Sequence, residues 1–489
     1  MSLRSRTTVL FAVLGCLVAG AVPSGADAGC DDLLVGAAAP ARLGVVQPAG
    51  PGREALLGVR RAVSVQGVRS ADGRRPWVRL DAPTGFDHVG FGHGLGVVVV
   101  DATARTCGAL QVQVLEPRQG RARWAASVPL PAAGQRLTGW LVPSVADVTG
   151  DGVEDVVVEV RTSTSDRTLR NADGRLDATD GAAGTVHLVD GAGGRVSSLV
   201  AQPAEAGAGP FGAVVAGLLL TGTSTAGSSE VVARRDGRQI WRAAVPTERG
   251  APLLRSSRVG PVVATSGVLV GSVRTHRVVQ LDARTGAVVW QRTWADTGPL
   301  QLLESGGDLL VGLGGLGRLE RVAAADGATA WRTGDDLGGG ERLVGDLDAD
   351  GMADVYVPGP LGSTAVLSGR SGSSLHPGVL SHLTADVTGV GDLDGDGHGD
   401  LVATLAEENP QQQVLGGGPP VPDGLTALSG RTAQVLWTTG ERLSDLAVLA
   451  ADVRPGRGRD VVLHDPETGL LALRAGRTGL LLWQVDLDD

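Results

Sequence analysis

The sequence predicts an all-β protein: a β-propeller of four-stranded antiparallel blades, with eight blades favoured and seven the alternative. Three observations predict it. A short phrase recurs through the 489 residues: an apolar strand, a polar turn with glycine, three residues, then tryptophan. Its copies average about 51 residues apart, and a four-stranded blade needs about 40–50. Helical i, i+3, i+4, i+7 patterning is nearly absent from a chain with 75 Gly and 25 Pro.

The N-terminus reads as an address. Arg4 and Arg6 precede an apolar run over Val9–Val22, and the small-residue stretch PSGADA follows. This is the pattern of a secretory signal peptide, residues 1–28, cut after Ala28. The run is too short to span a bilayer, and no later segment approaches 18 apolar residues. The chain is therefore expected outside the cytoplasm, secreted or in the cell envelope. A lipoprotein cut before Cys16 or Cys30 is the less favoured alternative. Removing the leader leaves Cys30 and Cys107, which are expected to pair where disulfides persist; two unpaired thiols are the alternative. Residues 29–95 fit the repeat poorly and are read as a closing strand, an irregular first blade or a loose arm. Residues 96–489 carry the propeller repeats.

The clearest copies are LDARTGAVVW at Leu281–Trp290 and VAAADGATAW at Val322–Trp331. Others end at Trp124, Trp241, Trp437 and Trp483, with Ala433 in the glycine place before Trp437. Two degenerate copies put Ser198 and His376 in the tryptophan slot. Each copy reads as a hairpin whose glycine supplies positive φ. The tryptophans are expected to be packing residues, with the indole N–H paired to a backbone carbonyl.

Three acidic nonapeptides are the strongest chemical signal. DVTGDGVED covers Asp147–Asp155, DLDADGMAD covers Asp346–Asp354 and DLDGDGHGD covers Asp392–Asp400. Carboxylates at alternate positions can converge on one hard cation as the loop curls, and glycine at the sixth position allows the turn. The expected ligands are Asp147, Thr149, Asp151 and Asp155; Asp346, Asp348, Asp350 and Asp354; and Asp392, Asp394, Asp396 and Asp400. The implied ion is Ca²⁺. Three solvated acidic turns are the plainer reading. A fourth copy, DVRPGRGRD at Asp452–Asp460, keeps its end carboxylates but has Arg454 and Arg457 where a ligand and the glycine belong. Polar insertions near 161–184 and 406–420 are candidate partner-binding lips, or slack surface loops.

Composition excludes several functions. The 43 positive side chains are all Arg, which removes a phosphate-loop lysine, a Schiff-base lysine and a Ser–Lys dyad. A net charge of −10 without a basic run argues against nucleic-acid binding. His88 and His93 in FDHVGFGHG are the closest histidine pair and read better as a structured turn than as metal ligands.

The glycine–tryptophan phrase resembles the tryptophan-docking repeat of pyrroloquinoline-quinone-type β-propellers. The resemblance covers most of residues 100–489 and implies that each tryptophan packs between neighbouring blades. The acidic loops resemble those of FG-GAP repeats in integrin α-subunit propellers, which hold Ca²⁺ within a blade. A quinoprotein dehydrogenase is the enzymatic alternative. That family uses an adjacent cysteine pair and an Asn ligand at its Ca²⁺ site. This chain has no such pair, and Asn171 and Asn409 both lie in the insertions. The expectation is a secreted, Ca²⁺-binding, monomeric and non-catalytic propeller. It would serve as a binding or scaffold module for an extracellular protein or glycan.

Overall fold

The computed structural model describes residues 42–46, 56–61, 64–69, 73–75, 77–80, 88–92, 96–101, 109–116, 119–129, 136–163, 183–202, 210–225, 227–247, 252–267, 270, 272–334, 341–358, 364–376, 387–405, 424–439, 447–451, 459–465 and 468–487. The leader, the Cys30–Cys107 pair, His93, most of the two insertions and Asp452–Gly458 lie outside the described residues. So does the side chain of His88.

Among the described residues there are 36 strands in nine four-stranded antiparallel meanders. In chain order, the blades span 42–80, 88–129, 136–202, 210–246, 253–296, 300–332, 342–375, 387–438 and 447–486. The first strands of successive blades touch, and that of the ninth blade touches that of the first, so the blades form a ring. The structure thus has nine sheets where the repeat count predicts eight. The additional one is residues 42–80. Its phrase, Asp72-Gly73-Arg74-Arg75-Pro76-Trp77, keeps the glycine–tryptophan spacing. Pro76 and two adjacent arginines on the approach to the outer strand hide it.

Side chains alternate along each strand, and each blade is covered on both faces by its neighbours. This explains why second strands read as unbroken apolar runs. In blade 3, Val156, Val158 and Val160 pack with Leu110, Val112 and Val114 of blade 2. Val157 of the same strand packs the other way, with Val186 and Leu188 of its own blade and Leu219 of blade 4.

Tryptophans join the blades as the repeat implies. Trp124 Nε1 donates to Gly191 O at 2.7 Å, Trp290 to Ala324 O at 2.8 Å and Trp437 to Gly476 O at 2.6 Å. Trp241 and Trp331 donate to Ala283 O and Gly369 O in the same way. Each acceptor lies three residues before the turn glycine, which the indole covers. A Cβ added to Gly194, Gly286, Gly327, Gly372 or Gly479 would sit 2.5–2.8 Å from the ring. Those contacts, with φ of 66–74°, require glycine. The ring closes by the same device. Trp483 of blade 9 lies over Gly73 of blade 1, and Arg75 Nη1 donates to Leu487 O at 3.2 Å.

Candidate metal centres on the acidic loops

The acidic loops connect first and second strands, at the end of each blade that also carries the turn between its third and fourth strands. Each loop curls because its first aspartate accepts amides further along. Asp346 Oδ1 and Oδ2 accept the N–H groups of Asp350 and Gly351, both at 2.9 Å. Asp392 accepts from Gly395 at 2.7 Å and Gly397 at 2.9 Å, and Asp147 accepts from Gly150 and Gly152.

Two loops then gather carboxylates. Asp346, Asp348 and Asp354 offer oxygens within 4.8 Å of one another, as do Asp392, Asp394 and Asp400. The fifth loop position is not part of either trio. Asp350 Oδ1 accepts the Met352 amide, and Oδ2 faces Arg370 Nε at 3.4 Å. Asp396 Oδ1 accepts the His398 amide at 2.9 Å. The first loop gathers no such carboxylate trio among the described residues. Asp151 accepts the Val153 amide, and the Thr149 hydroxyl oxygen is buried without a hydrogen-bond partner.

The last aspartate of each loop is fully buried at the start of the second strand. Asp354 Oδ2 accepts Leu347 N at 2.7 Å and Oδ1 accepts Gly369 N at 2.9 Å. Asp400 does the same with Leu393 and Gly430, and Asp155 with Val148 and Gly191. Burial pushes the Asp354 carboxyl up to about 7 against these amide bonds, and the neighbouring Asp348 and Asp346 add to the rise. Burial raises Asp400 too, with Asp394 adding to it. An ionised carboxylate is costly here unless positive charge arrives.

The clamp connects the loops to the blade junctions. The residues giving their N–H to these aspartates also accept the docking side chain of the preceding blade. Gly369 takes Trp331 Nε1 on its carbonyl and donates its amide to Asp354. Gly191 links Trp124 to Asp155, and Gly430 links His376 to Asp400. Adjacent loops also touch: Gly399 N donates to Asp346 O at 2.7 Å, and His398 Nδ1 lies 2.8 Å from Leu347 O.

Asp308 repeats the clamp outside the acidic motifs. It starts the second strand of blade 6, after a Gly306–Gly307 turn with no acidic loop. Its Oδ1 accepts Ala324 N at 3.0 Å, and Ala324 O receives Trp290. Arg321 and Arg258 neutralise it, at 2.6 and 3.1 Å. The signal available was an aspartate directly before an apolar run. The clamp therefore exists without an acidic loop, with arginine supplying the positive charge.

Comparison with known proteins supports the fold. The family model for outer membrane protein assembly factor BamB, a PQQ-repeat model, matches residues 182–331. No curated protein matches the sequence. A eukaryotic initiation factor structure aligns over 90% of this chain and 97% of its own, with TM-score 0.52 and 11% identity. BamB from Moraxella catarrhalis aligns over 63% of this chain and 85% of its own, with TM-score 0.33 and 16% identity. The dihydro-heme d1 dehydrogenase NirN aligns over 68% and 65%, with TM-score 0.39 and 14% identity. Strand order and ring contacts make the chain a β-propeller, and residues 182–331 of it match a repeat model of the pyrroloquinoline-quinone type.

Proposed function

We propose that this chain is a calcium-binding, non-catalytic propeller that acts outside the cytoplasm as a scaffold for an extracellular protein or glycan. One observation carries the reading: two loops of the same pattern each hold three carboxylates within 4.8 Å. Ca²⁺ takes oxygen ligands at 2.3–2.6 Å, so oxygens sharing one ion lie no more than about 5 Å apart. The donors are hard oxygens of the kind Ca²⁺ prefers, and the FG-GAP resemblance of the loops points the same way. Asp346, Asp348 and Asp354 would hold one ion; Asp392, Asp394 and Asp400 would hold a second. The ion would neutralise the buried carboxylate at the start of the second strand. Because that carboxylate holds the residue that accepts the neighbour's docking side chain, the ion would stiffen a junction between blades. The clamp with Asp308 and arginine, which uses the same geometry without an acidic loop, supports a structural role over a catalytic one. The family model is named for an outer membrane assembly factor, which accords with an envelope scaffold.

Calorimetric titration with Ca²⁺ after chelation tests this. Extracellular modules bind with Kd on the order of 10⁻⁴–10⁻³ M. Asp348→Ala and Asp394→Ala should each remove one site. Asp350→Ala should weaken binding less, because Asp350 lies outside the trio. An absence of binding heat, or a stoichiometry indifferent to Asp348 and Asp394, would refute the reading.

A further inference from the structure

The two acidic loops that gather carboxylate trios are also two loops that touch. The loop of blade 8 rests on the loop of blade 7. Gly399 N donates to Asp346 O at 2.7 Å, and His398 Nδ1 donates to Leu347 O at 2.8 Å, since a carbonyl only accepts. The approach is close: a Cβ on Gly399 would lie 2.9 Å from Asp346 O. On its other side the blade 7 loop meets the plain turn of blade 6, where Ser305 Oγ donates to Ala353 O at 2.6 Å. The loop of blade 3 gathers no trio among the described residues. Its neighbours, blades 2 and 4, have no acidic residue between their first and second strands.

Both sides of this contact belong to the trios or adjoin them. Asp346 is a member of the first trio, and Leu347 donates its amide to Asp354 of that trio at 2.7 Å. Gly399 directly precedes Asp400 of the second trio, and His398 gives its amide to Asp396 at 2.9 Å. An ion that holds Asp346 and Asp354 together therefore fixes the two carbonyls on which residues 398 and 399 rest. Order supplied at one loop need not be supplied again at the other, so the second ion binds more tightly than the first. Charge acts the other way, because the first ion weakens the negative field that draws the second. Salt at 0.15 M screens that field over about 8 Å and leaves the two hydrogen bonds in place.

We infer that the two calcium sites are positively coupled and load together, so that blades 6–8 respond to calcium as one unit. The inference rests on the calcium reading above. Asp354 and Asp400 hold Gly369 and Gly430, which accept Trp331 of blade 6 and His376 of blade 7. One loading step would thus tighten two successive junctions. The test is calorimetric titration with Ca²⁺ after chelation, at 0.15 M salt. Wild type should take up two ions along a steeper isotherm than independent sites give. Asp348→Ala removes the first site and should also weaken the second about fivefold or more, although Asp348 is no part of it. Asp394→Ala should weaken the first by a matching factor, because coupling is reciprocal. His398→Ala keeps both trios and should bring the two sites closer to independence. Asp282→Ala, which removes an acidic group from a turn of blade 5, should change neither site. Amide exchange gives a second readout. In Asp348→Ala, calcium-dependent protection should vanish at Gly369 and shift to higher Ca²⁺ at Gly430. Two ions bound independently, or a second site indifferent to Asp348, would overturn the coupling and leave the calcium reading standing. A second ion bound more weakly than independent sites allow would overturn it in favour of charge repulsion. An absence of binding heat would overturn both.

Discussion

The junction between blades 5 and 6 and the junctions at the two degenerate slots solve one problem with different chemistry. At the first, Trp290 is buried, donates to Ala324 O at 2.8 Å and covers Gly327. At slot 376 an imidazole replaces the indole. A carbonyl only accepts, so His376 Nε2 carries the proton it shares with Gly430 O at 2.7 Å. The turn beneath has Ala433 where the other turns have glycine. At slot 198 the ring is gone, and nothing lies within 4 Å of a Cβ on the opposing Gly237. Ser198 instead hydrogen-bonds His187 Nδ1 at 3.1 Å, and His187 Nε2 meets the Thr185 hydroxyl at 2.7 Å. The hydrogen bond to the neighbouring turn survives loss of the indole at slot 376, whereas the steric demand for glycine goes with the ring.

The largest expected effect is at the tryptophan junction. Trp290→Ala would open a cavity and leave Ala324 O without its donor, costing about 3–5 kcal/mol. Blades contact mainly their neighbours, so the loss should appear in the exchange protection of blades 5 and 6 together. Denaturant unfolding gives the magnitude, and an unchanged midpoint would show that the indole does not hold the junction.

The Ser198 junction should respond to acid. Burial holds His187 down at about 4, from an ordinary 6.5. As pH falls below 6.5 the unfolded chain gains this proton, while the folded chain resists until about 4. The unfolded state therefore binds more protons in that window, and stability falls with falling pH. The full contribution is present above 6.5 and reaches roughly 3 kcal/mol at most. His187→Gln keeps hydrogen-bonding capacity without this titration. The melting-temperature drop between pH 7.5 and pH 5 should be smaller in His187→Gln than in wild type, other acidic groups being common to both. Equal drops would show that His187 is not the sensitive group.

Much of this architecture is legible because the repeat advertises itself. A glycine and a tryptophan at fixed spacing encode a turn and the ring that covers its neighbour, and alternating aspartates encode a curled loop. Blade 1 was not legible as a repeat copy, only as one alternative for residues 29–95, since Pro76 and its neighbouring arginines break the apolar frame around Trp77. Nor was the division of labour within the loops. The nonapeptide offers Asp350 and Asp348 as equals, but Asp350, like Asp396, lies outside its trio and accepts the amide two residues on. The closing aspartates read as cation ligands. Their clamp on the next turn shows only in three dimensions, where Asp308 repeats it with no acidic loop. Chain-distant partners decide the clamp, and local spacing does not report it.

The smallest expected effect separates the two demands placed on a turn glycine. Gly327 and Gly237 have nearly the same φ, 74° and 71°, but only Gly327 lies under an indole. Gly237→Ala should cost only the left-handed backbone penalty, about 1–2 kcal/mol. Gly327→Ala should cost that plus about 1–3 kcal/mol of overpacking, because its Cβ would meet Trp290 at 2.8 Å. Ala433→Gly tests the same penalty in reverse. Ala433 has φ 54°, so relieving it should offset much of the added freedom of the unfolded chain, leaving stability within about 0.5 kcal/mol. The decisive measurement is the difference between the two glycine variants in chemical denaturation, each read against wild type. If Gly237→Ala and Gly327→Ala cost the same, backbone conformation alone selects glycine here, and the tryptophan above it is a bystander.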